Sequence, residues 1–148
     1  KNVARLAKHP NAFGIKEASG NIGYATKIAR YLSDDFCMFS GNDDIVLPMM
    51  ALGSRGVISV WANVQPKEVH DMCHAWLAGD HVAALKTQLA GIELVDSLFC
   101  EVNPIPVKYA MNLLGWEAGE CRLPLVEPSD EHKTKIEQAL VEAGLIKE

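Results

Sequence analysis

At 148 residues the chain is long enough for one domain with its own core, and 49% hydrophobic against 22% charged residues is the balance of a globular protein. Lys and Arg number 14 against 19 Asp and Glu, leaving a net charge of −5 that is scattered along the chain, which excludes the clustered basic face a nucleic acid or an anionic membrane would need. No apolar run reaches the roughly 18 residues of a membrane-spanning helix.

The chain opens on Lys1, and its basic start is followed by no apolar stretch, so it is not a signal peptide. Residues 2–8, with Val3, Leu6 and Ala7 at helical spacing before Pro10, read as the tail of a helix already under way. The expectation is therefore a polypeptide whose beginning lies upstream. Residues 12–15 form a compact apolar run ending at Lys16, and Ser19-Gly20-Asn21 follows as a turn. Residues 22–32 carry Ile22, Ala25, Ile28, Ala29 and Leu32 at helical spacing. A second short apolar run, 36–39, is closed by Ser40-Gly41-Asn42-Asp43-Asp44. A helix is predicted over 45–52 with Gly53 as its stop. A third strand is predicted over 56–60, where β-branched residues gather, and Gln65-Pro66 opens a helix running to Leu77 before Gly79.

Beyond Asp80 the pattern is all helical. One long amphipathic helix is expected over 81–99, with apolar side chains at Val82, Leu85, Leu89, Ile92, Val95 and Leu98 or Phe99. Another is expected over 104–114 with Asn103 as its cap, and a last one over 129–143. Three short apolar strands recurring about every twenty residues and separated by helices imply parallel strands covered on both faces, an α/β arrangement. A closed (β/α)8 barrel takes about 250 residues, so pattern alone leaves two architectures: a small open sheet with a helical annex, or part of a barrel.

Lys16 is the most informative position, because parallel strands deliver functional groups at their C-terminal ends. A lysine attacks a carbonyl only when neutral, and burial beside apolar walls favours that state. The alternative is a strand-end lysine reaching out to solvent. Alternation along the strand turns Lys16 away from Glu17. Gly41 ends the second run, where a glycine allows close backbone approach to a ligand. Asp43 and Asp44 either bind a metal or hydroxyls or cap the following helix. Ile58 and Ser59 could wall a small pocket or simply belong to the core. His70, Cys73 and His74 lie one helical turn apart without an obvious third ligand, so no metal site is assigned. The three tryptophans, Trp61, Trp76 and Trp116, read as packing residues. Cys37, Cys73, Cys100 and Cys121, with no CxxC pair, read as free thiols of a cytosolic protein.

Four segments, in order and spacing, carry a resemblance: Gly14-Ile15-Lys16-Glu17-Ala18-Ser19-Gly20; Ser40-Gly41-Asn42-Asp43; Gly56-Val57-Ile58-Ser59-Val60 with Ala62-Asn63-Val64; and Asn103-Pro104-Ile105-Pro106-Val107-Lys108. Together they resemble the dihydrodipicolinate synthase / N-acetylneuraminate lyase family over essentially the whole chain. The Asn-Pro-Ile-Pro-Val-Lys run is closer to the synthase branch than to the lyase branch. The resemblance implies the C-terminal part of a (β/α)8 TIM barrel, three βα units matching strands six to eight over 1–79, followed by a C-terminal helical extension over 80–148. It implies Lys16 as the Schiff-base lysine, and Gly41 and Ile58 as residues lining a pyruvate pocket. L-aspartate 4-semialdehyde is the implied second substrate, with no metal and no organic cofactor. In the family a threonine, two tyrosines and a carboxylate-binding arginine come from the N-terminal half of the barrel, and Tyr24, Tyr31 and Tyr109 do not stand in for them. The expected partners are the complementary N-terminal half or further copies in a homo-oligomer. A half-barrel that acts only by association, through its unpaired strand edges, is the reading from a different class.

Overall fold

The computed structural model describes residues 1–147. A short helix, α1 (Asn2–Leu6), leads into β1 (Gly14–Glu17), and α2 (Ile22–Ala29) carries the chain across to β2 (Cys37–Ser40). The two strands are parallel, in the register Gly14 to Cys37 through Glu17 to Ser40. A parallel pair cannot be joined by a tight turn, and α2 supplies the crossover. Its start is fixed by Asn21, whose side chain accepts a hydrogen bond from the Tyr24 N–H at 2.9 Å.

The predicted third strand is reduced to one bridge, between Ser40 and Val57, with the Ile58 N–H donating to the Ser40 carbonyl at 2.8 Å. The extended run cannot continue, because Val60 already has helical backbone angles and opens a single 3₁₀ turn over Trp61–Asn63. Between β2 and that turn lies α3 (Val46–Ala51), and beyond it come α4 (Pro66–Leu77), α5 (His81–Ala90), α6 (Ile92–Leu98), α7 (Ile105–Leu113) and α8 (Asp130–Glu142).

The long helix expected over 81–99 is two helices, parted at Gly91. A side chain at Gly91 would put its Cβ 2.2 Å from the ring of the buried Trp61, so the bare backbone is what lets this tryptophan reach the helix break. The inward face of α5 also differs from the expected one. Val82 is 82% exposed and Leu85 and Leu89 face solvent, whereas Ala84 and Gln88 are buried. The cap expected from Asn103 is absent: Pro104 occupies the cap position of α7, and Pro106 has no N–H to donate to a capping side chain. The last helix, α8, begins where expected, and Ser129 caps it, its Oγ accepting from the His132 N–H.

Two apolar clusters form the interior. The smaller joins Ala25, Ile28, Met38 and Met49, sealing α2 and α3 onto β2. The larger runs from Val46, Leu47 and Met50 through Trp61, Val69 and Met72 to Ala84, Leu98, Val107, Ile136 and Leu140. Helix α3 faces both, Met49 into one and Val46, Leu47 and Met50 into the other. Helix α3 thus stands between the cluster under the strand pair and the one under the later helices. Trp116, expected to pack, is instead exposed.

Candidate functional site

Lys16 is the penultimate residue of β1, and Gly41 follows directly after β2, so the parallel register places both at the same end of the strand pair. They touch: a Cβ on Gly41 would lie 2.9 Å from Lys16 Cε and 2.4 Å from Ala18 Cβ. Gly41 is also hydrogen-bonded across the pair, its N–H donating to the Glu17 carbonyl at 2.6 Å. Only a glycine fits there, and its effect is to press backbone against the lysine stem. Ile58 is one segment further, attached through Ser40, and is 48% exposed; it belongs to the surface at this end, not to the core.

Alternation separates Lys16 from Glu17 as expected. Lys16 is exposed, while Glu17 is buried at 4% exposure, with Oε1 accepting from the Ser19 N–H at 3.0 Å and Oε2 lacking a partner among the described residues. The apolar walls expected around the Lys16 ammonium are not in place. The reason is topological: among the described residues β1 has a neighbouring strand, β2, on one edge and none on the other.

Asp43 does not cap α3. Its side chain, 1% exposed, turns toward the third segment, where Oδ2 accepts from the Val60 N–H at 2.9 Å and the Trp61 N–H at 3.1 Å. The carboxylate therefore caps the 3₁₀ turn seventeen residues on, and holds the stretch just after Ile58. The start of α3 is served from a distance instead. Gln88 of α5 accepts from the Leu47 N–H at 3.4 Å and donates to the Asp43 carbonyl at 2.8 Å. Nothing in the helical pattern marks Gln88; the one local signal is its place four residues after Ala84, on the face that the structure buries. Ser40 Oγ donates to the Asn42 carbonyl at 2.7 Å and tightens the same loop. Ser59 Oγ accepts from the Ala62 N–H at 2.8 Å, a role inside the turn and not in a pocket wall.

The other candidates lie apart from this end. The rings of His70 and His74 stack with centroids 4.0 Å apart on the exposed side of α4, and His70 Nδ1 is 3.0 Å from the Asp71 carboxylate. Among the described residues no three His, Cys, Asp or Glu side chains converge as a metal site would require. Cys73 is half-buried, and burial together with the Asp43 charge pushes its thiol above the ordinary cysteine range. All four cysteines are free. Tyr24 is exposed on α2 and Tyr31 falls just past it. Tyr109 donates to Glu137 at 2.5 Å across α7 and α8, and burial followed by that hydrogen bond pushes its hydroxyl up to about 12. A cavity of about 450 Å³ opens in the annex, lined by Lys108, Tyr109, Asn112, Cys121 and Leu125 among others, and is separate from the Lys16 end of the strands.

The architecture is that of an α/β domain with a lysine at the C-terminal end of a parallel strand. The Dihydrodipicolinate synthetase family model matches residues 1–143, and the chain belongs to that family. It is 49% identical to a 4-hydroxy-tetrahydrodipicolinate synthase of Thermoanaerobacter sp. (strain X514) over 144 residues, 97% of this chain and 48% of the relative. It is 43% identical to the protein of the same name from Alkaliphilus oremlandii, over 99% of this chain and 50% of the relative. Among solved structures, dihydrodipicolinate synthase from Thermotoga maritima superposes with a TM-score of 0.93 at 36% identity, and the Aquifex aeolicus enzyme with 0.92 at 38%. These cover 97% and 99% of this chain and 50% of each structure. The chain thus spans about half the length of the relatives it matches, and its fold corresponds to half of those barrel enzymes.

Proposed function

We propose that this chain carries the Schiff-base portion of a 4-hydroxy-tetrahydrodipicolinate synthase, with β1, β2 and the Val57 segment as strands six, seven and eight of its barrel and the helices from 80 onward as its C-terminal extension. The observation that carries the reading is the contact between Gly41 and the stem of Lys16 at the C-terminal end of paired parallel strands.

In this reading the Lys16 amine adds to the ketone carbon of pyruvate, and loss of water leaves an iminium. The iminium draws electrons from the adjacent C–H bonds, so the methyl group gives up a proton and becomes an enamine. The enamine carbon attacks the aldehyde of L-aspartate 4-semialdehyde. The amine of that substrate then displaces Lys16 from the imine carbon, closing the six-membered ring and freeing the lysine. The iminium is itself the electron sink, so the chemistry calls for no metal and no organic cofactor. Gly41 and Ile58 border the pyruvate position, the glycine because its bare backbone lies against the Lys16 stem. The threonine and tyrosines that move the methyl proton in the family belong to the barrel's other half, which also supplies the strand for the open edge of β1 and the walls that Lys16 lacks. Assembly into a homo-oligomer in the cytoplasm completes the reading.

The test is turnover of pyruvate with L-aspartate 4-semialdehyde by the natural polypeptide that carries this sequence, beside its Lys16→Met variant. The reading expects product from the first and at least a 10³-fold loss in the second, the order typical when a nucleophile is removed. Turnover surviving in Lys16→Met, or cleavage of N-acetylneuraminate in place of condensation, would contradict it.

A further inference from the structure

Helix α5 turns its aliphatic residues Val82, Leu85 and Leu89 outward and buries a glutamine, Gln88, at 3% exposure. Burying an amide is costly unless its hydrogen bonds are made, and an aliphatic side chain at that position would fill the space at less cost. Both ends of the amide are in fact used, and both on one loop. Nε2 donates to the Asp43 carbonyl, and Oε1 accepts from the Leu47 N–H, so a single side chain brackets the turn in which β2 gives way to α3. Ile45, at the cap position of α3, cannot do this itself.

The bracketed loop is the one that begins at Gly41. Upstream, Gly41 lies against the Lys16 stem; within it, the Asp43 carboxylate holds the Val60 and Trp61 N–H groups and so fixes the segment that follows Ile58. The three positions assigned to the pyruvate site therefore meet in one hydrogen-bonded unit, and the amide that anchors this unit comes from outside the strands. We propose that Gln88 is a positioning residue for the Lys16 site: through Asp43 it sets how closely Gly41 approaches Lys16, and thereby how pyruvate is held for attack. The proposal rests on the pyruvate aldolase reading above. It assigns the helical annex a part in substrate binding, carried by one side chain.

Gln88→Met keeps the volume and removes both hydrogen bonds; Gln88→Asn keeps both groups but is one methylene too short to reach both partners. Steady-state constants are measured in the natural polypeptide carrying this sequence, together with melting temperature, with Tyr109→Phe as a control that gives up the annex hydrogen bond to Glu137 far from the loop. The expected result is a KM for pyruvate raised about tenfold in both Gln88 variants, with a smaller change in kcat, the signature of lost substrate positioning. Tyr109→Phe is expected to lower the melting temperature and leave that KM unchanged. A wild-type KM for pyruvate in a folded Gln88 variant, whatever its melting temperature, would reduce Gln88 to a core residue and overturn the proposal. So would an equal rise in KM in Tyr109→Phe. If Gln88→Met does not fold, Gln88→Asn carries the comparison. A wild-type protein without pyruvate turnover would remove the aldolase reading and this proposal with it, whereas unchanged constants in the variants remove this proposal alone.

Discussion

Substituting Gly41 by alanine is the smallest change that probes the site. The new methyl carbon would stand 2.4 Å from Ala18 Cβ, 3.0 Å from Ala18 Cα and 2.9 Å from Lys16 Cε. Carbon atoms rest about 3.5–4.0 Å apart, so the shortfall exceeds about 1 Å. The lysine stem can rotate away, but Ala18 is backbone and a single methyl, and Gly41 is tied to the same strand by its bond to the Glu17 carbonyl. Relief therefore requires the 40–42 loop and the 17–18 turn to part by about the length of the shortfall. Overpacking of this kind costs about 1–3 kcal/mol of stability. A displacement of about 1 Å at a reacting group costs about 10²-fold in rate. The two effects separate by assay: melting should fall by only a few degrees, while kcat/KM for pyruvate should fall about 100-fold. A Gly41→Ala protein with wild-type kcat/KM would show that the contact between Gly41 and Lys16 has no bearing on catalysis.

Three further outcomes follow from the packing and the charges. Gly91→Ala gains up to about 1 kcal/mol of helix propensity but drives a Cβ to 2.2 Å from the buried Trp61 ring, where overpacking costs about 1–3 kcal/mol, so denaturant melts should show net destabilisation; a more stable variant would mean that the ring is free to move. Asp43→Ala leaves the part-buried Val60 N–H and the buried Trp61 N–H without their acceptor and should cost about 2–4 kcal/mol in the same melts, at about 1–2 kcal/mol per donor, an estimate that an unchanged midpoint would refute. Glu101 is held below the usual carboxylate range, chiefly by the Ser129 N–H and then by His132, so its contribution to stability is present above its unfolded pKa and is lost as the pH falls through the lowered folded value. Melting temperature should therefore drop more steeply on acidification from pH 7 to pH 3 in the wild type than in Glu101→Gln, and parallel curves would remove Glu101 from the account.

What was legible in the sequence was local. The apolar runs before Lys16 and Ser40 are the two strands, Pro66 and Leu77 bound α4, and α8 starts just after Ser129, because each of these is decided by neighbours within a few residues. What was not legible depends on distant partners. The third strand shrinks to a bridge because Asp43, seventeen residues earlier, draws the Val60 and Trp61 N–H groups into a turn. Helices α5 and α6 part at Gly91 because Trp61 occupies the space where a side chain would stand. The apolar stripe of α5 faces outward because Gln88, forty-five residues from Asp43, turns the other face in. At the site, the strand-end positions of Lys16 and Gly41 were readable from the runs that precede them, but their contact was not, and neither was the exposure of Lys16, which follows from β1 having one neighbour.

The central claim is that Lys16 forms an imine with pyruvate. The direct measurement is borohydride reduction of the natural polypeptide carrying this sequence in the presence of pyruvate, followed by mass spectrometry of the intact protein and of its peptides. The expected result is one reduced pyruvate adduct per chain, located on the peptide containing Lys16 and absent from Lys16→Met. An adduct on another lysine, or no adduct on a protein that turns pyruvate over, would contradict it.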